Sequence, residues 1–156
     1  MTFKTSPNGR KLIEQWEKLY THAYNDGTGT LTIGYGHTSA AGLPRVTPGM
    51  VITPEQADAI LSADLASVEA DVNHHVTGTI NQNQYDALVS FDFNTGALDR
   101  SNVLAAVNAG HLEQVQPALM AWVHAHVHGQ LVTLPGLVRR RRAEWILFST
   151  GTVVGP

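Results

Sequence analysis

Cysteine is absent from the 156 residues. That excludes disulfide staples and thiolate chemistry, and it fits a chain made in a reducing cytosol. Charge is also sparse. Asp, Glu, Lys and Arg make up 15% of the chain against 43% apolar residues, which excludes a disordered, self-repelling polymer. No stretch approaches the roughly 20 apolar residues that span a bilayer, so stable membrane insertion is not expected. The opening segment MTFKTSPNGRKLIEQW lacks the apolar core of a secretory signal. A target outside the cytoplasm would need another route out. No internal repeat, low-complexity tract or linker interrupts the chain. Its length suits one compact domain, or two small lobes around a shared helix, with a core that needs no covalent help.

The formal net charge of −3 is unevenly spread. Residues 51–100 hold eight acids and one base, or −7. Residues 1–50 hold five bases and three acids, and residues 101–156 four bases and two acids, or +2 each. Basic ends suit docking on an anionic polymer. The negative total and the lack of aromatics interleaved with the bases argue against a nucleic-acid partner.

Leu12, Ile13, Trp16 and Leu19 follow helical spacing and predict a helix from Ser6-Pro7 to about Lys18. Residues 20–38 are rich in Thr, Gly and Tyr, and Asn25-Asp26-Gly27 signals a turn. Two or three short antiparallel strands are expected there. Thr53-Pro54-Glu55-Gln56 combines an N-cap, a first-turn proline and a capping box. The apolar stripe Ala57, Ile60, Leu61, Leu65, Val68 and Val72 then predicts a helix long enough to join two lobes. Asn81 and Gln84 repeat the box before Tyr85, Leu88 and Val89. Further helices are expected at about 101–109, closed by Gly110, and at 112–123, which Pro117 would interrupt. A last helix should run from Pro135-Gly136 to about Phe148. The fold class is α+β. One domain over 1–156 would have a sheet-containing lobe over about 1–55 and a larger helical lobe over about 56–156, joined by the long helix.

Three polar side chains fall close together in this frame. Glu17 ends the helix, Asp26 sits in the turn nine positions on, and Thr32 lies on a strand six positions after that. A helix end, a turn and a strand that meet can wall a cleft. Cleaving a glycosidic bond takes one carboxyl that stays protonated and another that stays ionised. Trp16 and Leu19 flank Glu17, and desolvation there favours the protonated form. Asp26, on a polar turn with free backbone N–H groups, ionises readily. Thr32 is neither acid nor base near neutral pH, but its hydroxyl can hold a water. On composition alone, a solvated Glu and a turn-forming Asp are the simpler reading.

Residues 12–38, LIEQWEKLYTHAYNDGTGTLTIGYGHT, resemble the segment that defines the phage-type lysozymes, the endolysins of glycoside hydrolase family twenty-four. The family pattern is an apolar helix ending in Glu, an Ala-Tyr before an Asp, and a Thr-Ile-Gly-x-Gly-His run. Glu17, Ala23-Tyr24, Asp26 and Thr32-Ile33-Gly34-Tyr35-Gly36-His37 meet it in register. Residues 84–91, Phe93-Asn94-Thr95-Gly96, and residues 136–141 with Glu144 resemble its later segments, so the resemblance spans nearly the whole chain. One position departs. The family usually has Gly directly after the catalytic Glu, and here it is Lys18. A left-handed lysine costs roughly 1 kcal/mol, and its ammonium would favour the ionised acid, against the role of a proton donor.

The resemblance implies a lysozyme-like fold and a muramidase. Its substrate would be the β-1,4 bond between N-acetylmuramic acid and N-acetylglucosamine in bacterial peptidoglycan, cleaved for host cell lysis. Glu17 would protonate the glycosidic oxygen. Asp26 and Thr32 would hold and activate a water on the opposite sugar face, giving inversion with the carboxyls roughly 6.5–9.5 Å apart. Both steps are proton transfers, so neither metal nor organic cofactor is required. Tyr35, His37, Asn94 and Arg139 are the expected substrate contacts. His37 braced by an acid and Asn94 as a cap are the plain structural readings beside these.

His124, His126 and His128 alternate, and a strand would put them on one face where Zn²⁺ could bind. Trp122 and Val123 instead suggest a helix end followed by a loop at Gly129, which fixes no ligand geometry. Arg139, Arg140, Arg141 and Arg142 cover most directions around a helix, so some should pair with acids and one or two should touch the polymer. The implied enzyme is a monomer made in the bacterial host cytoplasm that reaches the wall through a separate membrane pore. Three other readings stay open: the wall-penetrating enzyme of a phage particle, a saccharide-binding module without catalysis, and a hydrolase of chitin-like polymers.

Overall fold

The computed structural model describes residues 2–156. In chain order its elements are α1 (Pro7–Glu17), β1 (Tyr20–Asn25), β2 (Leu31–Gly34), β3 (His37–Thr38), α2 (Pro54–His75), α3 (Gln82–Thr95), α4 (Asn102–Ala109), α5 (Val115–Leu119), β4 (His124–Val127), β5 (Gln130–Thr133) and α6 (Pro135–Thr150), with short 3₁₀ turns between some of them. The helix starts follow the caps read from the sequence. Ser6 accepts from the Gly9 N–H with Pro7 at the first helical position. Thr53 with Gln56, and Asn81 with Gln84, close complete reciprocal capping boxes. Gly110 ends α4 in the left-handed conformation that lets its N–H reach back to the last turn.

Two polar anchors fix α1, and with it the position of Glu17. Asp86, fully buried on α3, accepts from the Ser6 backbone N–H at 3.0 Å and from the Ser6 hydroxyl. Arg10 reaches α2, donating to the carbonyl and the carboxylate of Asp58 at 2.7 Å each and to the Ser62 hydroxyl at 2.9 Å. Between these anchors Leu12 and Ile13 are fully buried.

β1, β2 and β3 form one antiparallel sheet with β2 in the middle. Thr32 stands opposite Tyr24 on one side and Thr38 on the other. The free edge of β1 is paired by residues 50–52, through Ala23 N–H to Met50 O and Ile52 N–H to Thr21 O, both 2.9 Å. Under the sheet lies a small core of Ile33, Val46, Ile52 and Ala57. The larger core collects Leu12, Ile13, Leu88, Phe91, Leu147 and their neighbours from the helices. Helix α2 serves both, placing Ala57 in the first and Leu61, Leu65 and Val72 in the second. Each fully buried side chain of this kind stabilises the fold by about 1.5–3 kcal/mol. Among the described residues no helix is long and apolar enough to cross a membrane.

The segment after residue 111 departs from the expected helix over 112–123. It breaks into a 3₁₀ turn over Leu112–Gln114 and the short α5, which contains Pro117. The expected loop is a β-hairpin, β4–β5. Its two-residue connection, His128 at φ 50 and Gly129 at φ 79, has the paired positive φ angles of a type I′ turn, whose twist suits a tight hairpin. His124 and His126 stand opposite Thr133 and Leu131, while His128 occupies the turn, so the three histidines do not share a face. Among the described residues no three His, Asp or Glu side chains converge as a metal site.

Candidate active site

Glu17 is the last residue of α1, and the backbone bends sharply after it. Lys18 has φ 63 and ψ 156, a combination that glycine adopts freely and a side chain resists. The lysine keeps a positive φ where the family usually has glycine, and its ψ takes it out of the left-handed helical region. The Lys18 N–H still donates to Glu14 O at 2.9 Å, so the helix closes normally before the chain swings into β1.

The two oxygens of the Glu17 carboxylate have different surroundings. Oε1 accepts from Nη1 of Arg140 at 2.7 Å. Oε2 lies against the β2–β3 turn at Gly36, where an added methyl group would stand 2.7 Å from it. Gly36 has φ +74, so both the conformation and the close approach require glycine.

Arg140 belongs to a buried cluster under the end of α1. Glu144, fully buried on α6, lies 3.5 Å from Arg140 Nε and 2.9 Å from Arg141 Nε, and accepts from the Ser90 hydroxyl at 2.7 Å. Arg141 also covers the Phe91 ring at 5.1 Å and donates to Asn94 Oδ1. Burial pulls the Arg141 guanidinium down and pushes the Glu144 carboxyl up, each opposed by the other's charge. Two guanidinium groups face two carboxylates, Glu17 and Glu144. That balance offsets the cost of burying Arg140, Arg141 and Glu144, while Glu17 stays partly exposed at the edge of the cluster.

Asp26 sits in a polar turn in full contact with solvent. Its Oδ1 accepts from the Thr28 hydroxyl at 2.6 Å, the Thr28 N–H at 2.9 Å and the Thr30 N–H at 3.3 Å. These donors, the Thr28 hydroxyl foremost, hold the carboxyl below the usual carboxylate range. All three fall on Oδ1, which leaves Oδ2 uncommitted. Thr32 is 5% exposed, and its Oγ1 reaches the Thr30 carbonyl at 3.4 Å, too long for a strong bond. Tyr24, opposite Thr32 on the neighbouring strand, stands two positions before Asp26. Burial, then Tyr20, then the charges of Glu17 and Asp26 push its phenol up.

A groove of about 560 Å³ opens beside Glu17, lined among others by Trp16, Lys18, Asn94, Leu137 and Arg139. The structure therefore brings Glu17, Asn94 and Arg139 together, with Asp26 in the β1–β2 turn and Thr32 on β2 outside that lining. Tyr35 lies elsewhere. It packs against both cores, and burial, then the charges of Glu14 and Asp58, push its phenol up, with Arg10 opposing. His37, at 1% exposure, has both ring nitrogens engaged, Nδ1 with Asp64 Oδ2 at 2.7 Å and Nε2 with Pro44 O at 2.8 Å. No nitrogen is left for a ligand, and the bracing role is the one its contacts describe. Burial pushes the Asp64 carboxyl up, and its bond to His37 opposes this. The sequence led to the expectation that some of the four arginines pair with acids, and Arg140 and Arg141 do so, but it did not name Glu17 and Glu144 as the partners. The available signal for Glu144 was its spacing from Arg140 and Arg141, i to i+4 and i to i+3, which stacks acid and base on one helix face.

Residues 14–144 match the sequence model of the phage lysozyme family. An endolysin of Acyrthosiphon pisum secondary endosymbiont phage 1 is 40% identical over 147 residues, 93% of this chain and 97% of that protein. Among solved structures, the muramidase domain of SpmX from Asticaccaulis excentricus superposes with a TM-score of 0.85 at 40% identity, covering 94% of this chain and 98% of that one. The endolysin from Escherichia coli O157:H7 phage FAHEc1 gives 0.91 at 34% identity, covering 99% and 98%.

Proposed function

The chain belongs to the phage lysozyme family, and from that premise we propose that Glu17, Asp26 and Thr32 are the catalytic group of an inverting muramidase. The protein is a glycoside hydrolase that breaks down peptidoglycan in phage lysis. The bond cleaved is the β-1,4 link between N-acetylmuramic acid and N-acetylglucosamine. The observation that carries the assignment is the seat of Glu17. Arg140 fixes one oxygen and the Gly36 turn borders the other, at the wall of a groove.

In this mechanism a water attacks the anomeric carbon as the bond to the glycosidic oxygen breaks. Glu17 gives its proton to that leaving oxygen. Asp26, kept ionised by its three donors, takes a proton from the water through Oδ2, and the Thr32 hydroxyl holds the same water in place. Asn94 and Arg139 border the sugar path, and the Arg139 guanidinium suits the lactyl carboxylate of muramic acid. The enzyme acts as a monomer, is made in the host cytoplasm and reaches the wall through a separate membrane pore. Cell fractionation with and without a co-expressed pore-forming protein tests that route.

The deciding assay is release of reducing ends from purified peptidoglycan by the parent and by Glu17→Gln, with circular dichroism to verify folding. Loss of a general acid should lower the rate roughly 10²- to 10⁴-fold. A folded variant working at the parent rate refutes the assignment. An NMR time course should show an α-configured first product, and a β-configured one removes the inverting step.

A further inference from the structure

We infer that Tyr24 is a positioning residue for the attacking water, its phenolic O–H fixing the orientation in which Asp26 and Thr32 hold it. This rests on the catalytic reading above and adds one side chain to it.

The ladder between β1 and β2 sets Tyr24 opposite Thr32. Directly opposed residues send their side chains out on the same face, with Cβ atoms about 4.5–5.5 Å apart. A phenol and a hydroxyl therefore leave the sheet side by side, two positions before Asp26 in the chain.

The ring is also clamped. Tyr20 pairs with Gly34 and Tyr24 with Thr32, so four steps along β1 answer two along β2. The surplus is taken up as a bulge, a feature that bends a strand and re-aims its side chains, often beside active sites. Side chains four apart on a regular strand are separated by roughly 13 Å. Here the Tyr20 and Tyr24 ring centroids are 4.3 Å apart, at an interplanar angle of 39°. The bulge thus spends ladder regularity to press one aromatic ring on the other.

The hydrogen-bonding capacity left around Tyr24 matches one water molecule. A water offers two hydrogens and two lone pairs. One hydrogen goes to Asp26 Oδ2, which none of the turn donors uses, and the other to Thr32 Oγ1, whose bond to Thr30 is weak. One lone pair accepts from the Tyr24 O–H, and the remaining pair faces the anomeric carbon. Burial, then Tyr20, then the charges of Glu17 and Asp26 push the phenol up, so Tyr24 stays a neutral donor wherever Asp26 is ionised. It takes no proton and gives none away; it narrows the orientations from which the water can attack.

The test is initial-rate kinetics on solubilised glycan strands of peptidoglycan for the parent, Tyr24→Phe and Tyr24→Leu, with Glu17→Gln alongside. Tyr24→Phe keeps the ring and its packing on Tyr20 and removes the donor. It should lower kcat roughly 10- to 100-fold with KM and melting temperature unchanged. Parent-level kcat in Tyr24→Phe with loss only in Tyr24→Leu would show that the ring is structural and overturn the inference. An unchanged kcat with a raised KM would make Tyr24 a sugar contact and overturn it as well. Equal rates for the parent and Glu17→Gln would instead sink the catalytic reading beneath it, an outcome separate from any result at Tyr24.

Discussion

Replacing Lys18 by glycine should stabilise the protein, although it removes a side chain from the groove. Lys18 holds φ 63 and ψ 156, and a non-glycine residue there costs on the order of 1–3 kcal/mol. Glycine relieves that strain but gains freedom in the unfolded chain, which takes back roughly 0.5–1 kcal/mol. The net gain is about 1 kcal/mol, which for a chain of this size raises the melting temperature by about 2–4 °C. Lys18→Ala is the necessary companion, since it removes the ammonium and keeps the strained backbone. Thermal unfolding followed by far-ultraviolet circular dichroism, with urea titration to verify that the m-value is unchanged, reads both variants. The expected order is glycine above the parent and alanine level with it. A glycine variant melting at or below the parent refutes the strain argument. An alanine variant that gains as much as glycine shifts the cause to the ammonium.

Gly36→Ala should lower kcat at least tenfold and destabilise by about 1–3 kcal/mol, because its methyl group meets Glu17 Oε2 at 2.7 Å on a backbone with positive φ; kinetics and melting on the same preparation read both effects. Arg140→Leu leaves Glu17 and the fully buried Glu144 without a shared cation, and urea unfolding should show a loss of about 3–5 kcal/mol. Stability should also fall as pH rises from about 4 to about 7. Burial and the neighbouring Asp71 carboxyl push Asp92 up to about 7, so the folded chain keeps a proton that the unfolded chain releases near the ordinary carboxylate pKa, and the folded state loses ground as pH climbs through that window. Asp92→Asn can still accept from Leu98 N–H and can donate to Asp71, and urea titrations across that range should show a flatter pH profile.

The elements that the sequence disclosed were those with local chemistry. Ser6-Pro7, Thr53 with Gln56, and Asn81 with Gln84 each announce a helix start within four residues, and each holds in the structure. The β4–β5 hairpin was hidden because its turn is His128-Gly129, which lacks the Asn-Gly or Asp-Gly signature of a two-residue hairpin turn. As candidates, Glu17, Asp26 and Thr32 were legible through family spacing. Their surroundings were not, because Arg140 is 123 positions from Glu17 and Asp64 is 27 from His37. Periodicity on a helix tells which faces are apolar, and it is silent on which distant carboxylate a buried arginine meets. The same limit applies to Tyr35. Its place in the Gly-Tyr-Gly-His run suggested a substrate contact, whereas its ring packs against both cores.

The distance along the chain between Glu17 and Arg140 has a consequence for when the enzyme comes into being. A ribosome delivers Glu17, Asp26 and Thr32 early, but the guanidinium that seats Glu17 emerges 123 residues later, roughly 6–25 s at ordinary elongation rates. Until α6 is translated, the α1 end has no cation beneath it and the larger core lacks Ala143, Leu147 and Phe148. A nascent chain, or one cut short before α6, thus carries Glu17, Asp26 and Thr32 without the ion pair that seats the first of them. Translation of α6 is the step that completes the seat of Glu17.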